Sequence, residues 1–266
     1  MSRADGRKSI FITGAAGGIG LAAARLFAGK GWFVGLSDVN VSGLDAAHRE
    51  LGAEDAMCAA LDVRDREDWT RALGRFADAT DGRMDVLLNN AGVARYGWFE
   101  EVAPEEADLE IDVNIKGVVN GAYAGLDLLR ATPNSRLVNV ASCAGLYGSP
   151  RLAVYSATKF AVRGLSEALD VEFARYGVGV RCVMPWFVDT PILESGSARG
   201  NQSIRDAIRA GGHPVYTPDE AARVIWDAAH GDDMHYVVGK MGKNLRFATR
   251  FFPGRLRKRM KASALA

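Results

Sequence analysis

The sequence predicts an α/β fold: a doubly wound parallel sheet of seven strands with helices on both faces. Three observations carry that expectation. Short apolar runs alternate with helical segments from residue 8 to residue 238, which is how successive β-α units of a parallel sheet read. The first run leads straight into a glycine-rich turn and then an Ala/Leu-rich helix. The 266 residues, 48% of them hydrophobic, suffice for one large core without a second domain.

Taken in order, residues 8–12 form the first strand, and the run 13–20 follows it with Gly14, Gly18 and Gly20 flanking Ile19. Glycines at this spacing let the backbone turn sharply and approach a pyrophosphate at the N-terminus of the next helix, which extends to about Gly29. The second strand, 32–37, ends at Asp38, eighteen residues after Gly20. A dinucleotide-binding, Rossmann-type fold places an acid there on the adenosine ribose hydroxyls. Ala15, Ala16, Val39, Asn40 and Val41 bring no cation that could receive a 2′-phosphate. The residues therefore point to NAD rather than NADP, the alternative for Asp38 being a cap on the following helix. Further strands are expected at 56–61, 85–88, 136–141, 179–184 and 235–238. Thr217, Pro218 and Glu220 read as a capping box that opens the last crossover helix.

Proton-transfer chemistry is suggested by Tyr155 and Lys159, with Ser142 thirteen residues before the tyrosine. On a helix, positions i and i+4 share a face, so the two head groups can share one site. An adjacent ammonium favours the phenolate, which would make Tyr155 an acid or base near neutral pH. Ser142 follows the fifth strand and so sits where open α/β sheets bind ligands. Taken alone, the Tyr-Lys pair is equally consistent with a chance pairing on a solvated helix.

With the glycine run, Asp62-Val63 after the third strand, 89–92 after the fourth, Asn114, Ser142, Tyr155, Lys159 and 185–190 in place, the chain resembles a short-chain dehydrogenase/reductase of the compact, NAD-preferring type. The resemblance covers residues 7–239, within a single domain spanning 1–266. It implies a catalytic tetrad of Asn114, Ser142, Tyr155 and Lys159. It also implies that Asp62 and Val63 contact the adenine, that Asn90, Ala91 and Gly92 steady the sheet beside the cofactor, and that Pro185, Val188 and Thr190 border it. Without its three companions, Asn114 reads as a helix-bending structural amide. Trp186 stands where the family usually has glycine, so a large ring enters the pocket wall. Two helical regions, 108–130 and 155–175, have the apolar content of the family's subunit contact and imply a homodimer or homotetramer.

The substrate pocket is expected to include Ser142 and Tyr155 with Tyr96, Leu146, Trp186 and Phe187; Val93, Trp98, Cys143, Tyr147, Ile192 and Leu193 extend the set. Its apolar character favours a bulky secondary alcohol or its ketone. Residues 194–212 carry the Gly/Ser content of a lid. The activity expected is NAD-dependent hydride transfer with Tyr155 as acid/base. An NADP-dependent carbonyl reductase and a non-catalytic dinucleotide-binding protein are the alternatives.

The net charge of +1 gives no global field for nucleic acid. Cys58, Cys143 and Cys182 read as reduced thiols in or near the core, and the four histidines have no metal-ligand spacing. A polar start without a signal segment places the protein in the cytoplasm. The tail, 240–266, is different: it holds nine basic and no acidic residues, interleaved with Leu245, Phe247, Phe251, Phe252, Leu256 and Met260. Such a basic amphipathic segment fits peripheral contact with an anionic membrane, cover over the substrate mouth, or a subunit edge.

Overall fold

The structure, a computed structural model, describes residues 5–197, 199–200 and 202–265. Residues 1–4 of the polar start, residues 198 and 201 of the expected lid and residue 266 of the tail lie outside the described residues. The strands are β1 (Ser9–Thr13), β2 (Phe33–Asp38), β3 (Ala56–Ala60), β4 (Val86–Asn89), β5 (Arg136–Val140), β6 (Gly179–Pro185) and β7 (His235–Val238). Each lies within one residue of its expected position. Among the described residues they make one sheet, parallel throughout, in the order β3-β2-β1-β4-β5-β6-β7.

The helices between them are α1 (Gly18–Gly29), α2 (Val41–Leu51), α3 (Arg66–Thr80), α4 (Pro104–Ile111), α5 (Gly117–Ala131), α6 (Ala153–Phe173), α7 (Ile204–Gly211) and α8 (Pro218–His230). Two more, α9 (Lys240–Phe251) and α10 (Pro253–Leu265), follow β7. The capping box of α8 is formed, with the Thr217 side chain accepting from the Glu220 N–H.

Successive side chains of a strand point to opposite faces, so each strand supplies two cores. Ile10, Ile12, Val34 and Leu36 pack with Phe27 of α1 and Ile225 of α8 on one face. Phe11, Phe33 and Leu87 pack with Trp69 and Phe76 of α3 and Leu129 of α5 on the other. The run of Ala22, Ala23 and Ala24, all buried, brings α1 close to its neighbours. Because β2 and β4 flank β1, the chain runs outward in opposite directions from the β1–β4 pair. The two connections part there and leave a crevice at the carboxyl ends of the strands.

Candidate active site

That crevice opens into a cavity of about 430 Å³. It gathers Gly14, Gly18, Ile19, Asp38, Asn90, Ala91, Gly92, Ser142, Tyr155, Lys159, Pro185, Trp186, Phe187, Val188 and Thr190, all expected from the sequence. These residues come from the carboxyl ends of five different strands or the segments after them, from the start of α1 and from α6, so the fold alone brings them together.

One end of the cavity is a glycine cradle. Gly14 and Gly18 have φ of +69° and +54°, in the left-handed region that side-chain-bearing residues rarely adopt. A Cβ on Gly14 would stand 2.9 Å from the Ala91 Cα, and one on Gly18 3.0 Å from the Thr190 Cγ2. Gly20 is buried behind this surface, where a Cβ would strike the Gly14 carbonyl. The N-cap of α1 is Gly17, no side chain caps the helix, and its first turn has no acid. Its first N–H groups and the positive end of its dipole are thus left for an anion such as a pyrophosphate.

The turn is braced from β4. Asn90 donates its side-chain amide to the Thr13 carbonyl at 2.9 Å, and the N–H groups of Asn90 and Ala91 both donate to the Thr13 hydroxyl at 3.0 Å. Asp38, at the end of β2, accepts from the Ala16 N–H at 3.1 Å and the Asn40 N–H at 3.0 Å. The helix after it is capped by Asn40, whose side chain accepts from the Gly43 N–H. Asp38 therefore faces the cavity beside Ala16, Gly17 and Asn40, and among the described residues no lysine or arginine stands in the wall around it. Asp62 and Val63 lie outside this lining: both Asp62 carboxylate oxygens bind the Arg64 side chain, and Val63 is buried. The Arg64 pair holds the Asp62 carboxyl below its usual range.

The reactive groups meet at the other end. Ser142 is extended, begins the short turn Cys143–Gly145, and accepts from the Ala144 N–H at 3.1 Å. Its hydroxyl lies on the Tyr155 side of the cavity, where it favours the ionised phenol. Tyr155 lies in the first turn of α6 and Lys159 one turn on, 3% exposed, donating its Nζ to the Val140 carbonyl at 3.0 Å. The ammonium stands 5.6 Å from the Tyr155 ring centre. Burial pushes the Tyr155 phenol up to about 12 against the opposing pull of Ser142, and pushes Lys159 down to about 8. The direction of the phenol's shift is thus set by its burial, opposite to what a neighbouring ammonium by itself would give. Desolvation outweighs the pull of Ser142, and Glu110 and Cys143 add to the rise.

Asn114 is fully buried and does not line the cavity. It sits in a single π turn, Asp112–Lys116, between α4 and α5, a distortion that often marks functional positions. Its side chain accepts from the Val93 N–H and donates to the Val93 carbonyl, both at 2.9 Å, and donates to the Thr158 hydroxyl at 3.1 Å. It thus clamps the segment after β4 against α6. Gly92 lies between it and the lysine: a Cβ there would stand 3.2 Å from the Asn114 Oδ1 and 3.4 Å from the Lys159 Nζ.

One group near this assembly was not foreseen. Glu110, four residues before Asn114 and 1% exposed, accepts from the Arg95 N–H at 2.7 Å through one oxygen. Its other oxygen has no hydrogen-bond partner among the described residues. Burial pushes its carboxyl up to about 7 against the opposing pull of Arg95. The i,i+4 spacing to Asn114 was the available sequence signal; that the carboxyl is buried depends on tertiary packing.

The remaining wall is apolar, with Cys143, Leu152, Trp186, Phe187, Ile192, Leu193 and Ile204. Tyr96 and Leu146 are not in this lining. Tyr96 packs in the apolar cluster that Tyr155 also joins, and Leu146 packs with Cys143 and Trp186. Val93, Trp98 and Tyr147 likewise do not line it. Leu245 of α9 and Met260 of α10 do, which brings the tail into the site. Cys58, Cys143 and Cys182 are free thiols. Among the described residues no group of three His, Cys, Asp or Glu could hold a metal, and no helix is long and apolar enough to cross a membrane.

A parallel sheet with a glycine cradle beside a Ser-Tyr-Lys group that lines the same cavity defines a nicotinamide-dependent oxidoreductase. The family model for short chain dehydrogenases matches residues 8–200, and the chain belongs to that family. It is 38% identical to the oxidoreductase UcpA of Salmonella typhimurium over 204 residues, 76% of this chain and 77% of the relative. It is 33% identical to the 3-oxoacyl-[acyl-carrier-protein] reductase FabG of Thermotoga maritima over 238 residues, 88% and 94% of the two chains. The crystal structure of a short-chain dehydrogenase/reductase from Burkholderia phymatum in complex with NAD superposes with a TM-score of 0.83 at 26% identity, over 97% of each chain.

Proposed function

We propose that the protein is an NAD-dependent oxidoreductase that interconverts an apolar secondary alcohol and its ketone, with Tyr155 as acid/base. The observation that carries this reading is the meeting of Ser142, Tyr155 and Lys159 beside the apolar wall formed by Leu152, Trp186, Phe187, Ile192 and Leu193, in the cavity that also holds the glycine cradle. The nicotinamide, when bound, supplies the hydride acceptor or donor and, in its oxidised form, a positive charge.

The chain's residues do the rest. Gly14, Gly18 and the N-terminus of α1 hold the pyrophosphate, and Asp38 receives the ribose hydroxyls and repels a 2′-phosphate. Val188 and Thr190 close over the cradle beside Pro185, whereas Asp62 and Val63 lie outside the cavity wall and take no part in this reading. Ser142 donates to the substrate oxygen while Tyr155 gives it a proton or takes one from it, according to direction. A phenol near 12 is fully protonated at neutral pH and ready to donate to a ketone. To accept from an alcohol, it depends on positive charge close by, which Lys159 provides. Asn114 holds the Val93 segment and, through Thr158, the helix that carries both Tyr155 and Lys159.

The assembly proposed is a homodimer or homotetramer in the cytoplasm. Tyr123 of α5 and Phe160 and Val171 of α6 are exposed apolar side chains on the helices expected to meet a second subunit. The direct test is a panel of apolar secondary alcohols assayed with NAD and with NADP by nicotinamide absorbance. Turnover with NAD and weaker turnover with NADP are expected; turnover only with small charged alcohols would overturn the substrate class.

A further inference from the structure

The tail is built with two faces. Inward, Gly242 of α9 is buried so tightly that a Cβ would stand 2.6 Å from the Cys143 Sγ and 2.7 Å from the Val237 Cγ1. Leu245 packs with Cys143, Leu146 and Trp186, and Leu245 and Met260 form part of the cavity wall. Outward, Phe247, Phe251 and Phe252 are 58%, 57% and 45% exposed. Their rings touch one another, with centroids 4.7 Å apart for Phe247 and Phe251 and 6.0 Å for Phe247 and Phe252. Arg250 and Arg255 flank this patch at 5.8 and 5.5 Å from the Phe251 and Phe252 rings. A contiguous apolar patch of this kind, rimmed by cations, marks an interaction surface.

The charge distribution says what kind. All nine basic residues from 240 to 261 are exposed, and that segment has no acid. The rest of the chain holds all 32 acidic residues against 24 basic ones. An anionic plane therefore attracts the tail and repels the body, which orients the molecule as well as binding it. Exposed phenylalanines among arginines are what an interfacial helix inserts at the boundary between headgroups and acyl chains.

We propose that the outward face of α9 and α10 docks on an anionic lipid bilayer, and that this sets the cavity mouth against the membrane so that the alcohol or ketone enters from the lipid phase. The substrate class is then a membrane-dissolved alcohol or ketone rather than a freely soluble one; that part rests on the function proposed above, whereas the docking does not.

Flotation of the full chain with vesicles tests it. With phosphatidylglycerol/phosphatidylcholine vesicles at low salt the protein should float, with phosphatidylcholine alone it should stay behind, and raising the salt to about 0.5 M should release most of it, since screening weakens the electrostatic part. The triple variant F247S/F251S/F252S should lose about tenfold or more in vesicle affinity while keeping its melting temperature and NAD binding, because all three rings are exposed. Failure to float at low salt would overturn the docking. So would a variant that floats unchanged but drops to a smaller oligomer in sedimentation, which would assign the patch to a second copy. Flotation without turnover of any alcohol would leave the docking intact and sink the proposed activity. If the protein floats and turns over alcohols, anionic vesicles should raise the rate with a bilayer-dissolved alcohol by several-fold and leave a water-soluble one unchanged; equal rates for both would overturn entry from the lipid.

Discussion

Replacing Glu110 by glutamine should change how stability depends on pH. In the folded protein burial raises this carboxyl from its ordinary 4.5 to about 7. The folded state therefore keeps a proton that the unfolded chain releases between these values. Between them the folded state binds more protons, so stability falls as pH rises through the window. The shift, at about 1.4 kcal/mol per unit, amounts to about 3 kcal/mol in all. The glutamine side chain would still accept from the Arg95 N–H but cannot ionise, and its amide nitrogen would take the place of an oxygen that already lacks a partner. That costs roughly 1 to 3 kcal/mol at every pH. The variant should thus be the less stable protein at pH 5, with the gap closing by roughly 2 to 3 kcal/mol by pH 8. Urea unfolding of cofactor-free protein across that range measures it. Parallel stability curves for the two proteins would refute the buried, titrating carboxyl.

Two further outcomes follow from the same geometry. Asp38→Ala should raise the ratio of NADP to NAD efficiency by about tenfold or more, equivalent to roughly 1.4 kcal/mol, with both efficiencies reduced because the Ala16 and Asn40 N–H groups lose their acceptor; an unchanged ratio in steady-state kinetics would remove Asp38 from cofactor choice. Sedimentation at micromolar concentration should give at least a dimer, and Val171→Arg, at a position 78% exposed, should weaken it without lowering cofactor binding; a wild-type monomer would contradict the assembly.

The strands were legible because each is a short apolar run between polar or glycine-containing turns, and Gly14, Gly18 and Asp38 because their chemistry depends on spacing along one β-α-β unit. Ser142, Tyr155 and Lys159 were legible for a similar reason, since a strand end and one helical turn fix them. Asn114 could be named from resemblance, but not its clamp on Val93 and Thr158, which joins segments far apart in the chain. The direction in which burial moves the Tyr155 phenol is not legible in the sequence, because local spacing foretells a cation and says nothing of desolvation. Leu245 and Met260 carried only an amphipathic pattern, equally suited to a membrane, a subunit edge or the pocket. Their place in the cavity wall emerges only when β7 delivers α9 across the Cys143 turn.

The central claim is that Tyr155 moves the proton while the rest of the site binds and orients. Tyr155→Phe keeps the ring that packs with Leu193 and Leu152 and removes only the hydroxyl that Ser142 meets. Measured side by side with the wild type under conditions where chemistry limits turnover, it should bind NAD with near-unchanged affinity and lose about 10² to 10⁴ in kcat, the usual contribution of a positioned acid-base group. Near-wild-type turnover in this variant would contradict the account.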